Sequence, residues 1–181
     1  MPLSFRCVLG FAAVFACSAH AQQPNPALDA YAVPGKLIAI DANRHLNLRC
    51  SGTGSPTVIL ESGNNADSMA WVKVQPGIAK FTQVCSYDRA GTGFSDGGPL
   101  PRNVDTNAED LAALIRAAHI ATPVVLVGHS YGTNIVRRFA DKHAREVAAL
   151  VLLDPPPQRD RGRARSSPAV KPLLWPGSEE L

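Results

Sequence analysis

The sequence predicts an α/β fold: a mostly parallel sheet with helices on both faces. Two observations predict it. Apolar runs of strand length ("TVILESG", "TQVCSYD", "PVVLVG", "VAALVLLD") alternate with stretches of helical spacing such as "SMAWVKVQPGIAKF" and "GTNIVRRFADKH". The strand runs are also apolar throughout, the pattern of strands buried on both faces. A hydrophobic content of 45% is enough for one core.

The elements follow in order. Arg6, the short apolar run Cys7 to Cys17 and the small-x-small pattern Ala19-His20-Ala21 read as a secretory signal peptide over 1–21. The run is too short for a transmembrane helix, so no stable membrane span is expected after cleavage. Anchoring as a lipoprotein at Cys17 ranks below simple export, because Phe15 fits that pattern poorly. Residues 22–35 form a Pro-containing irregular arm, and 36–155 form the core domain.

"KLIAI" and "HLNLRCSG" flank "DANR", which predicts a hairpin. Pro76 predicts a break in the helical stretch that follows the "TVILESG" strand. Thr106 and Glu109 fit a capping box at the head of a helix running to about His119. Ile135, Val136 and Phe139 mark the apolar face of the last helix. After Asp154, "PPPQRDRGRARSSPAVKPLLWPGSEEL" shows neither strand run nor helical period; 156–181 reads as a disordered Arg/Pro-rich tail.

Several function classes drop out. A net charge of +3 without a basic stripe gives no nucleic-acid partner. No Cys/His cluster has metal spacing and no G-x-G-x-x-G opens a helix after a strand, so neither metal nor cofactor is indicated. Of the four cysteines, Cys50 and Cys85 remain in the exported chain, as a disulfide or as two buried thiols.

The chemistry lies in "LVGHSYGT". Gly128-His129-Ser130-Tyr131-Gly132 joins a strand to a helix and matches the nucleophile-elbow pattern. Serine at that apex must adopt a strained backbone, so Gly128 and Gly132 must be small. The hydroxyl then stands at a helix N-terminus, where developing negative charge is favoured.

With "VILESGNNADSMAW", the Asp-Arg-x-Gly-x-Gly-x-Ser loop in "CSYDRAGTGFSD" and "LVLLDP" in the same order, the chain resembles the N-terminal part of a serine-dependent α/β-hydrolase of the esterase or lipase type, over about Leu37 to Pro155. The resemblance implies Ser130 as nucleophile and the backbone N–H groups of Asn64 and Tyr131 as oxyanion donors, with Asn65 a weaker candidate. It implies a small-molecule acyl substrate and no cofactor. Ser62-Gly63 replaces the His-Gly of many relatives, which leaves a backbone donor in place. Asp88 and Arg89 are expected to hold their loop, and Ser62 and Ser95 to make loop hydrogen bonds. Because the second and fourth strands are neighbours in that family, the resemblance also implies a Cys50–Cys85 disulfide.

The base is not at its expected place. In this family the order is Ser, acid, His, and no histidine follows His143. His20 leaves with the signal, His45 lies in the hairpin, His119 and His143 end helices where imidazole can meet the last carbonyls, and His129 packs beside the elbow. Asp154 ends the last strand and has no histidine to orient. The expectation is a hydrolase-like chain truncated after about the sixth strand, inactive or impaired, with an open sheet edge prone to self-association. Its alternatives are a non-catalytic binding protein or a fragment completed by another chain.

Overall fold

The computed structural model of the chain describes residues 26–157, so the leader over 1–21 and the tail from 158 onward lie outside the described residues. Among the described residues, six strands form one sheet: β1 (Lys36–Ala39), β2 (His45–Ser51), β3 (Val58–Glu61), β4 (Val84–Tyr87), β5 (Val124–His129) and β6 (Val147–Leu153), in the order β1-β2-β4-β3-β5-β6. β2 pairs antiparallel with β1 and with β4, whereas β3 pairs parallel with β4 and β5, and β5 with β6. Among the described strands only β2 therefore runs against the rest.

The strand order reverses at β3 and β5. The chain leaves β3 toward β4 on one side and leaves β5 toward β6 on the other. In open α/β sheets this reversal opens a crevice beyond the carboxyl ends of the strands, where ligands bind. The residues that follow β3 and β5 are Ser62-Gly63-Asn64 and Ser130-Tyr131.

Helices cover both faces. On one, α3 (Val104–Ala117) and α4 (Gly132–Lys142) bury Leu111, Leu114, Ile115, Ile135, Val136 and Phe139 against Ile59, Leu126 and their neighbours. On the other, a 3-10 turn at Ser68–Trp71 and the single turn α2 (Gln75–Ile78) lie over Val58, Leu60, Val84 and Val127. The break at Pro76 is present: the stretch splits into these two pieces, and Pro76 sits in the first turn of α2, where its missing N–H costs nothing.

Two expectations are corrected. Residues 22–35 are not wholly irregular, because Pro26–Asp29 form one helical turn, α1. The capping box of α3 is Asn103 with Thr106, not Thr106 with Glu109. Asn103 Oδ1 accepts the Thr106 N–H at 3.0 Å, and Thr106 Oγ1 accepts the Asn103 N–H at 2.9 Å. Asn103 is a strong cap one turn earlier, so Thr106 falls at the third helical position. Glu109 is then free to accept from Lys142 Nζ of α4 at 2.6 Å.

Cys50 and Cys85 face each other in the β2–β4 register and are joined by a disulfide. Among the described strands β6 lies at one edge of the sheet. Leu150 and Leu152 pack toward the helix-covered core, while Val151 and Leu153 on its other face remain 42% exposed.

Candidate active site

The turn after β5 is built by steric exclusion. Ser130 has φ +49°, a left-handed conformation that costs a side-chain-bearing residue energy and persists only where its surroundings hold it. They do hold it. The Ser130 N–H donates to Leu153 O at the end of β6 (2.9 Å), and its carbonyl accepts the Thr133 N–H (3.0 Å) and the Thr133 hydroxyl (2.7 Å). Gly128 and Gly132 let strand and helix close on each other. A Cβ on Gly128 would lie 2.8 Å from Gly132 O and from Thr133 Cα, and one on Gly132 would lie 2.6 Å from Ser62 O. Ser130 thus stands half-buried at the N-terminus of α4.

The loop after β3 lies against this turn. A Cβ on Gly63 would be 3.0 Å from His129 Nδ1 and 3.5 Å from Ser130 Cβ. Asn64 and Asn65 follow, both exposed, with Asn65 at φ +54°. Ser62 Oγ donates to Asp67 O (2.7 Å) and accepts from Trp71 Nε1 (2.9 Å). Ser95 Oγ accepts the Asn47 N–H and donates to Asp88 O. Both hydroxyls are occupied in loop structure.

Asp88 and Arg89 are buried organisers. Asp88 accepts from the Ser68 N–H (2.8 Å), Asn47 Nδ2 (2.8 Å) and the Phe94 N–H (2.9 Å), tying three segments together. Gly93 is required here, at φ +50° with a hypothetical Cβ only 2.2 Å from Asp88 Oδ2. Arg89 donates to Glu61, to Ser62 O (2.7 Å), to Gly63 O and to Ala66 O.

Sequence reasoning missed Glu61, the last residue of β3. It is fully buried and accepts from the Tyr87 hydroxyl and from Arg89. Burial pushes its carboxyl above the usual range, against the pull of Arg89 and Tyr87. The available signal was a single carboxylate inside an apolar strand run, with an arginine available two residues beyond another strand.

The described histidines are scattered. His45 pairs with Asp96 (3.1 Å) in the hairpin. His119 follows α3 at φ +55°. The His143 ring does not meet the last carbonyls of α4 as expected. It tilts against Phe139, with centroids 4.8 Å apart, and its Nδ1 lies 3.3 Å from Glu146, because the apolar face of α4 offers the ring better cover than the solvated helix end. His129 is exposed and stands edge-on to Trp71 at 6.5 Å. Asp154 is exposed at the end of β6. Among the described residues, no side chain hydrogen-bonds the Ser130 hydroxyl, and no group of His, Cys, Asp and Glu is placed to hold a metal ion. No described helix is long and apolar enough to cross a membrane.

Comparison with known proteins places the fold. The profile of a family described as alpha/beta hydrolase fold matches residues 56–173. YqjL, an uncharacterized protein of Bacillus subtilis, is 33% identical over 104 residues, 58% of this chain and 41% of its own length. A thermophilic esterase from Thermogutta terrifontis superposes with a TM-score of 0.60 at 27% identity, over 68% of this chain and 45% of the esterase. The epoxide hydrolase CorEH gives a TM-score of 0.59 at 26% identity, over 65% of this chain and 41% of its own. The chain thus spans about two fifths of the length of YqjL and less than half of either structure.

Proposed function

The chain belongs to the alpha/beta hydrolase fold family, and from that premise we propose that it carries the nucleophile and oxyanion half of a serine hydrolase acting on ester or related acyl bonds. The observation that supports this most is Ser130 at φ +49° between two glycines that admit no Cβ, at the head of α4 and against the Gly63 loop. A serine held at a strained strand-to-helix turn has its hydroxyl presented at the apex, the placement of an elbow nucleophile.

In the proposed step the Ser130 oxygen bonds the acyl carbon, and the carbonyl electron pair moves onto oxygen. The Tyr131 and Asn64 N–H groups stabilise that oxyanion. Collapse breaks the bond to the leaving oxygen, which takes up the proton released by Ser130 and departs as the alcohol, leaving an acyl-serine that water then hydrolyses. The serine proton needs a base. None of the described histidines bonds Ser130, so the step is slow unless an imidazole from outside the described residues reaches it. Loss of such a partner costs on the order of 10⁴- to 10⁶-fold.

That same observation favours a second reading: a non-catalytic protein that keeps the elbow and binds acyl compounds there without turnover. Mapping the adduct of a fluorophosphonate probe separates the two, since only the hydrolase reading predicts a modified Ser130.

The reading also includes export. Arg6, the apolar run and Ala19-His20-Ala21 support it, and a Cys50–Cys85 disulfide suits an oxidising compartment. N-terminal sequencing of the protein recovered outside the cytoplasm is expected to begin at Gln22. An unprocessed Met1 on a cytoplasmic protein would contradict it.

A further inference from the structure

Arg89 donates to three successive parts of the loop after β3: Nη1 to Ser62 O at 2.7 Å, Nη2 to Gly63 O, and Nη2 to Ala66 O at 3.4 Å. The Gly63 carbonyl and the Asn64 N–H belong to one peptide unit. That unit is trans, since the cis bonds of the described residues all precede proline. In a planar trans peptide the C=O and N–H point in opposite directions. A guanidinium that holds the Gly63 oxygen therefore fixes the Asn64 N–H pointing away from itself, in a loop whose Gly63 already abuts Ser130.

The same guanidinium reaches the other half of the site. Its Cζ lies 5.9 Å from the centroid of the Tyr131 ring, within the range of a cation–π contact. Tyr131 carries the second proposed donor. Behind Arg89, buried Glu61 fixes the fork from below, and Tyr87 fixes Glu61. Glu61 also lies under the elbow, since a Cβ on Gly132 would meet its carbonyl oxygen at 2.7 Å.

We propose that Arg89 is a positioning residue, seated on Glu61, that aims the oxyanion donor of Asn64 and ties it to the elbow through Tyr131. This rests on the reading of Ser130 as nucleophile. The planar fork suits the task because it can serve several acceptors at fixed angles, which a lysine ammonium cannot. Lysine at this position keeps a charge beside Glu61 while losing the fork.

The test uses Arg89→Lys with two readouts. The first is the Asn64 backbone amide, followed by NMR shift and hydrogen exchange, with amides in α3 as internal control. The second is the rate of fluorophosphonate adduct formation at Ser130. The Asn64 amide is expected to shift and exchange faster while α3 is unchanged, and the adduct rate to fall about 100-fold. An unchanged Asn64 amide, with or without a change in adduct rate, overturns the proposal. Should Arg89→Lys fail to fold, the paired variant Glu61→Gln, Arg89→Met removes both buried charges together and is read in the same way. If the parent protein forms no Ser130 adduct, the nucleophile reading fails, while the Asn64 amide still decides the role of Arg89.

Discussion

Gly132→Val is expected to destabilise the protein by about 3 kcal/mol or more, read from the urea midpoint of unfolding. The first added carbon already collides: its position is 2.6 Å from Ser62 O, 2.7 Å from Glu61 O and 2.8 Å from Glu61 Cγ. Two of these are backbone atoms of the β3 end, and Glu61 Cγ belongs to a buried side chain held by Arg89 and Tyr87. None can rotate away as a surface side chain would. Relief requires α4 to back off the sheet, which separates Ser130 from the Gly63 loop. Gly77→Ala is the control, because no atom lies within 4 Å of the added carbon. It is expected to be neutral or slightly stabilising. Equal losses at both positions would show that close packing under the elbow is not what the glycine serves.

Phe139→Ala is expected to cost about 3–5 kcal/mol, measured by the same denaturation. Phe139 is fully buried on the inner face of α4, in the cluster with Leu111, Leu114 and Ile135, and its ring meets that of His143 at 4.8 Å. Truncation leaves a ring-sized void between α4 and its neighbours, and adjacent helices cannot collapse fully into it. A loss below about 1 kcal/mol would mean that α4 is not anchored by this face. The consequence for the site is direct, because α4 carries Ser130 at its head.

The parts of the fold written in local pattern were legible in the sequence. Unbroken apolar runs gave β3 to β6, and the alternation with helices gave the architecture. Pro76 marked its break because a missing N–H acts locally. The elbow was legible because Gly128 and Gly132 have no substitute where backbones close to van der Waals contact. The disulfide rested on the resemblance, which supplied the β2–β4 pairing that spacing alone leaves open.

What was not legible depends on tertiary contact. Asn103 caps α3 because it precedes the helix by one residue, a register that the apolar pattern blurs by a turn. The His143 ring leaves the helix end for Phe139, a choice set by burial rather than by sequence neighbours. Arg89 read as a loop residue, yet its four acceptors come from a segment more than twenty positions earlier. In the sequence Glu61 is one carboxylate inside the "TVILESG" run. Only the fold shows that it sits beneath both the arginine and the elbow.

The measurement that tests the central claim most directly is peptide mapping of the purified protein after long exposure to a fluorophosphonate, beside Ser130→Ala. The account predicts one dominant adduct, on Ser130, formed slowly and absent from the variant. A folded protein with no adduct at Ser130, or with label spread evenly over its exposed serines, would contradict it and leave the binding reading in its place.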